Sequence, residues 1–118
     1  MGCERSIMRK IPQTEQQIQR TILEYLWAKK ILAFKFNNAG IRKPDGSWIP
    51  TGTKGVSDIL GVLPDGRFMA IEVKRPGNKA TQLQQQFLDN VNDKKGLGFI
   101  AYSVDDVVRE LGGKVYNT

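Results

Sequence analysis

Apolar residues at helical spacing alternate along this chain with short apolar runs that suit strands. Ile18, Ile22, Tyr25 and Leu26 fall on one helical stripe. Thr14-Glu15-Gln16-Gln17 precedes them as a capping box, with Thr14 as N-cap and Gln17 reaching back, so a helix is expected to run to Lys29 or Lys30. Leu32 to Asn37 reads as a strand with Phe34 and Phe36 on one face, ended by Asn38-Ala39-Gly40. Asp45-Gly46 can turn a small hairpin between Ile41-Arg42-Lys43 and Ser47-Trp48-Ile49. Ile59-Leu60-Gly61-Val62-Leu63 and Phe68-Met69-Ala70-Ile71 are apolar on both faces, the pattern of strands covered on two sides. Thr81 and Gln84 make a second capping box. Its helix runs to about Asn92, faces the core with Leu83, Phe87, Leu88 and Val91, and ends at Lys94-Lys95-Gly96, with Gly96 as C-cap glycine. Phe99-Ile100-Ala101-Tyr102 is a last strand, and Ser103 caps a short helix, Val104 to Leu111, stopped by Gly112-Gly113. The order is helix, three strands plus a small hairpin, helix, strand, helix. It predicts an α/β or α+β sandwich with helices on a central mixed sheet.

Between the two apolar strands lies Pro64-Asp65-Gly66, a tight connection. If three residues form the loop, Leu63 pairs with Arg67, and counting back sets Asp58 directly opposite Glu72. Opposed side chains then sit roughly 4.5–5.5 Å apart. A two-residue loop of Asp65-Gly66, or a bulge, would move the register by one and set Asp58 opposite Val73. In the first register two carboxylates repel unless a cation or a shared proton lies between them. Lys74 points to the same face as Glu72. Glu-x-Lys on a strand is more often a solvated ladder of opposite charges. Here the strand is apolar on both faces, and charges at its end are costly unless they form a site. Two acids and a lysine converging on one spot make a Mg²⁺ site for phosphodiester hydrolysis.

Composition narrows the chemistry. The 118 residues suffice for one domain with a modest core. Eighteen Lys and Arg against 12 Asp and Glu leave a formal charge of +6, which favours a polyanionic partner, nucleic acid before an anionic membrane. No apolar stretch approaches the ~20 residues of a membrane span, and the N-terminus shows no secretory signal pattern. A single cysteine, Cys3, makes no intrachain disulfide, and a reducing cytoplasm is expected. With no histidine in the chain, a structural zinc site and Ser-His-Asp or Cys-His catalysis are excluded within one chain. Any metal must be held by oxygens, which points to Mg²⁺ or Mn²⁺. Met1 to Pro12, with Arg5, Arg9 and Lys10, reads as a basic arm before a single domain over residues 13–118. Arg42, Lys43 and Lys54 beside Trp48, with Arg75 and Lys79 after the Glu-x-Lys strand, suit a nucleic-acid backbone and an exposed base.

The ordered set of Glu15, Asn38 and Gly40, Gly55-Val56-Ser57-Asp58, Ile71-Glu72-Val73-Lys74-Arg75-Pro76-Gly77 and Thr81-x-x-Gln84 with Phe87-Leu88 resembles the PD-(D/E)xK nuclease superfamily. The closer similarity is to its VRR-NUC branch, the virus-type replication-repair nucleases, in the stand-alone form found in phages and bacteria. The resemblance spans nearly the whole chain and implies a restriction-endonuclease-like core and the three-residue loop register. It implies that Asp58 and Glu72 ligate Mg²⁺ (or Mn²⁺) with the backbone carbonyl of Val73, and that Lys74 orients the attacking water. It further implies that Glu15 binds metal through water or holds a second ion, and that Gln84 braces the site. Ser57 stands where the superfamily's name has proline. The expected activity is metal-dependent hydrolysis of DNA, with a homodimer presenting two sites to a four-way (Holliday) or other branched junction. A flap-directed or restriction-type nuclease, a non-catalytic DNA-binding subunit of a replication or recombination complex, and a basic RNA-binding protein are the competing readings.

Overall fold

Both capping boxes form as the sequence spells them. Thr14 Oγ1 accepts from the Gln17 amide at 3.1 Å and Gln17 Oε1 accepts from the Thr14 amide at 2.9 Å, opening helix α1 (Glu15–Ala28). Thr81 and Gln84 repeat the exchange at 3.2 and 2.8 Å to open α2 (Gln82–Asp93). The structure, a computed structural model, describes residues 12–36, 41–49 and 54–112, with the backbone alone for Ile41, Arg42, Trp48 and Ile49. The expected basic arm, Asn38, Gly40 and Gly113 lie outside the described residues.

The strands are β1 (Leu32–Lys35), β2 (Ile41–Arg42), β3 (Trp48–Ile49), β4 (Ile59–Val62), β5 (Phe68–Val73) and β6 (Leu97–Ala101), and a last helix α3 covers Val104–Leu111. Four of the strands form one sheet in the order β1-β4-β5-β6, while β2 and β3 make the expected hairpin. β1 and β5 run antiparallel to β4, and β6 runs parallel to β5, so the sheet is mixed. The parallel pair is joined through α2, as a parallel connection requires.

Alternation along the strands gives the sheet two buried faces. Ile59, Met69, Ile71 and Val73 pack with Ile18, Ile22 and Leu26 of α1 and with Val107 and Leu111 of α3. Leu60 and Ala70, on the other face, pack with Leu88 and Val91 of α2. The result is a helix–sheet–helix sandwich, the α/β architecture expected of a restriction-endonuclease-like core.

Four details depart from the sequence expectation. Leu83 does not face the core but is half exposed, and its backbone is what Gly55 meets: a Cβ on Gly55 would lie 2.6 Å from the Leu83 carbonyl oxygen. At the end of α2 the left-handed residue is Lys95 (φ 71), not Gly96. Gly96 is needed for space instead, since a Cβ there would come within 2.8 Å of the Phe68 carbonyl oxygen and of Val91. Ser103 occupies the N-cap of α3 without a side-chain cap bond, and Asp106 Oδ2 accepts from the Tyr102 amide at 2.8 Å in its place. The strand expected over 32–37 ends at Lys35, although the Phe36 amide still donates to the Asp58 carbonyl at 2.7 Å.

Each sheet edge carries one side-chain cap. Trp27 Nε1 donates to the outward Ala33 carbonyl of β1 at 2.9 Å. Asn92 clasps Gly98 of β6 with two bonds of 2.9 Å. Such caps blunt the tendency of an edge to add a foreign strand.

Gly55 combines a positive φ of 85° with its close approach to Leu83. Gly55→Ala is therefore expected to destabilise the fold by about 2 kcal/mol or more, measured by denaturant unfolding. A loss within a few tenths would show that the loop before β4 is not held against α2.

Candidate active site

The site grows from the loop between β4 and β5. The Leu63 amide donates to the Arg67 carbonyl at 2.8 Å and the Gly66 amide to the Leu63 carbonyl at 2.8 Å, closing a three-residue loop over Pro64-Asp65-Gly66. Gly66 takes φ 93, a conformation that favours glycine. The ladder then pairs Ile59 with Ile71 and Leu60 with Ala70, so one further step sets Asp58 opposite Glu72. Of the two registers open from sequence, the structure has the first.

Asp58 and Glu72 meet where β4 begins and β5 ends. Asp58 Oδ2 accepts from the Val73 amide at 2.9 Å, which ties the loop carboxylate to the strand. Glu72 is 2% exposed, and its Oε1 has no hydrogen-bond partner. Lys74 Nζ stands 3.7 Å from Glu72 Oε2, with only 14% of its side chain exposed. Its backbone amide donates to the Ala101 carbonyl at 3.1 Å, so β6 holds it beside the pair.

Burial pushes the Glu72 carboxyl up to about 8. The Asp58 charge and a hydrogen bond with Asp58 add to the rise, Lys74 opposes it, and the charge of Glu15 contributes from the first turn of α1. Three groups from three elements thus act on one carboxyl. Two adjacent carboxylates avoid mutual repulsion when a proton or a cation lies between them.

This donor set fits an oxygen-seeking divalent ion. It has two facing carboxylates, an unpartnered buried oxygen on Glu72 and the main chain of Val73 alongside, with no sulfur or imidazole. Among the described residues no group of three Asp, Glu, His or Cys side chains converges, and the charge of Glu15 reaches Glu72. Gln84 is half-buried and its Oε1 is taken up by the Thr81 amide.

The basic residues named from sequence lie around the loops. Lys43, Lys54, Arg75 and Lys79 are exposed, while the side chains of Arg42 and Trp48 fall outside the described residues. Two polar groups went unnoticed in the sequence as site neighbours. Ser57 is fully buried with an unpartnered Oγ directly before Asp58, and Gln19 is 7% exposed with an unpartnered Oε1. Gln19 carried a signal: it sits four residues after Glu15, on the same helix face, between the buried Ile18 and Leu23.

The model of the VRR-NUC domain family matches residues 7–105 of the chain. No curated protein and no solved structure matches it.

The raised Glu72 group predicts a pH signature. In the fold it keeps its proton up to a pH of about 8, against an ordinary 4.5 in the unfolded chain. The native state therefore binds more protons in that window, and the metal-free protein loses stability as pH rises through it. Glu72→Gln should flatten the decline. An ion held by Glu72 would compete with that proton, so Mg²⁺ is expected to raise Tm more near pH 8 than near pH 4.5. Thermal melts with Mg²⁺ and with a chelator check both statements. An equal metal shift at the two ends would show that no proton competes with the ion.

Proposed function

The chain belongs to the VRR-NUC family, and on that footing we propose that it is a metal-dependent endodeoxyribonuclease that cuts branched DNA as a homodimer. Family membership carries a nuclease function in general. The observation that supports the finer reading is Glu72: a fully buried carboxyl with a vacant oxygen, opposite Asp58 and beside Lys74. A structural role would leave such a group paired or replaced by an apolar residue. Strongly perturbed carboxyls of this kind cluster at functional sites.

Asp58, Glu72 and the Val73 carbonyl would hold the ion, Mg²⁺ or Mn²⁺. When bound, the ion supplies charge neutralisation at the scissile phosphate and lowers the pKa of an attacking water. Lys74, buried along its stem and close to the carboxylates, orients that water and steadies it as it loses its proton. Glu15 contributes negative charge near the ion through solvent, and Gln84 braces the loop side of the site from the first turn of α2. Arg75 and Lys79 follow β5 directly and would meet the phosphates leading into the site, with Lys43 and Lys54 on the neighbouring loops. Arg42 and Trp48 complete the proposed DNA-contacting set.

Binding should rest on phosphate contacts, and affinity should fall steeply with salt. One small domain engages one strand, so cutting both strands at a junction needs two copies related by a two-fold axis.

The test is cleavage of a labelled four-way junction beside its linear duplex arms, with Mg²⁺ or Mn²⁺ and with a chelator. Junction-selective cutting that requires the ion is expected. Lys74→Ala should lose activity by about a hundredfold or more while still binding DNA. Metal-independent binding with no cutting of any substrate would assign the chain to the non-catalytic DNA-binding modules. Equal cutting of linear duplex by a monomer would overturn the branched-DNA dimer.

A further inference from the structure

A second polar feature lies outside the carboxylate site. Between α1 and the outer edge of β1 runs a cleft of about 450 Å³ lined by Gln19, Arg20, Leu23, Trp27 and Lys35, with Gln16 and Glu24 at its rim. Its volume falls in the range of small-ligand sites, roughly 300–1,000 Å³. Gln19 is more than nine-tenths buried, and its Oε1, which has no hydrogen-bond partner, lies beneath the cleft surface out of reach of solvent. Trp27 is 53% exposed, yet its ring is not free to swing, because Nε1 is tied to the Ala33 carbonyl. Lys35, on β1, is exposed and has no ion pair among the described residues. Arg20 is paired only with Glu24, at 3.4 Å and in solvent, an interaction easily exchanged.

We infer that this cleft holds an unpaired nucleobase of the DNA, stacked on Trp27 with its backbone phosphate beside Lys35 and Arg20. The chemistry fits each group. A fixed indole offers a stacking platform, which accepts any base because every base has a π-face. The cations flanking an aromatic match a single strand, whose bases are exposed while its phosphates remain charged. A strand from a second protein copy fits worse, since the indole already occupies the outward carbonyl that strand addition would use. Gln19 is one helical turn, about 6 Å, from Glu15, whose charge reaches Glu72. A base held there belongs to a nucleotide near the scissile phosphate, as at the unpaired flank of a branch point. The inference rests on the reading of this chain as a DNA-acting protein.

The experiment uses the whole chain labelled with 5-fluorotryptophan, in a chelator so that nothing is cut. The two ¹⁹F signals are assigned with Trp27→Phe. A short single-stranded oligonucleotide should shift the Trp27 signal and bind about tenfold more tightly than the same oligonucleotide carrying abasic residues. Because the comparison changes only the ligand, the folding of a variant cannot confuse it. Equal affinity for both strands with an unmoved Trp27 signal would overturn the inference. A Trp27 signal that moves with protein concentration instead would also overturn it, making the cleft a contact between copies. The cleavage assay separates the two readings. Cutting with indifference to the bases keeps the nuclease and removes the cleft, whereas base-dependent binding with no cutting keeps the cleft and removes the nuclease.

Discussion

Opposition of two carboxylates across β4 and β5 is the constraint on which the rest of this structure turns. Asp58 and Glu72 share a place only because the loop between their strands has three residues. A change of one would send every side chain of β5 to the other face, placing Glu72 among Ile18, Ile22 and Leu26 of α1 and turning Ile71 toward α2. The apolar pattern of both strands and the geometry of Pro64-Asp65-Gly66 therefore specify the same register, and the site is a consequence of that agreement. Lys74, two residues past Glu72, and the Val73 amide, which binds Asp58, come with it at no further demand on the fold.

Around that pair the layers serve placement more than coverage. α1 and α3 bury one face of the sheet and α2 the other, but the first turn of each long helix does something further. In α1 it carries Glu15, whose charge is felt by Glu72. In α2 it receives Gly55 against the Leu83 backbone, which pins the loop that delivers Asp58. Unpartnered buried polar atoms are rare in a folded chain. Those found here, on Gln19, Ser57 and Glu72, belong to α1, to the residue before Asp58 and to the site itself. Ordered water, an ion or a ligand is what satisfies such atoms in folded proteins. The core elsewhere is filled by Ile, Leu, Val and Ala in the ordinary way.

The architecture was legible in the sequence because its signals are local. Capping boxes at Thr14 and Thr81 involve residues three apart, and the Asp45-Gly46 and Pro64-Asp65-Gly66 turns are contiguous. The apolar runs of β4 and β5 announce burial on both faces without any knowledge of what buries them. The misreadings share a cause. Gly96 looked like a conformational cap, and Leu83 like a core residue, because composition shows which residue types are present but not what lies against them. Gly96 is required by the Phe68 carbonyl, and Leu83 meets Gly55 through its backbone, both distant in sequence.

Residue order alone specified the elements, the mixed α/β class, the absence of histidine and cysteine chemistry, and the acids and lysine from which a site could be built. It left open whether Asp58 faces Glu72 or Val73, since both loops suit the same turn residues. Long-range packing resolved that choice, by demanding that Ile59, Met69 and Ile71 lie on one face of the sheet. It also exposed Gln19 as a buried, unpartnered polar group. A helix sequence lists its residues in order, but the desolvation of any one of them depends on the neighbours that other segments bring to it.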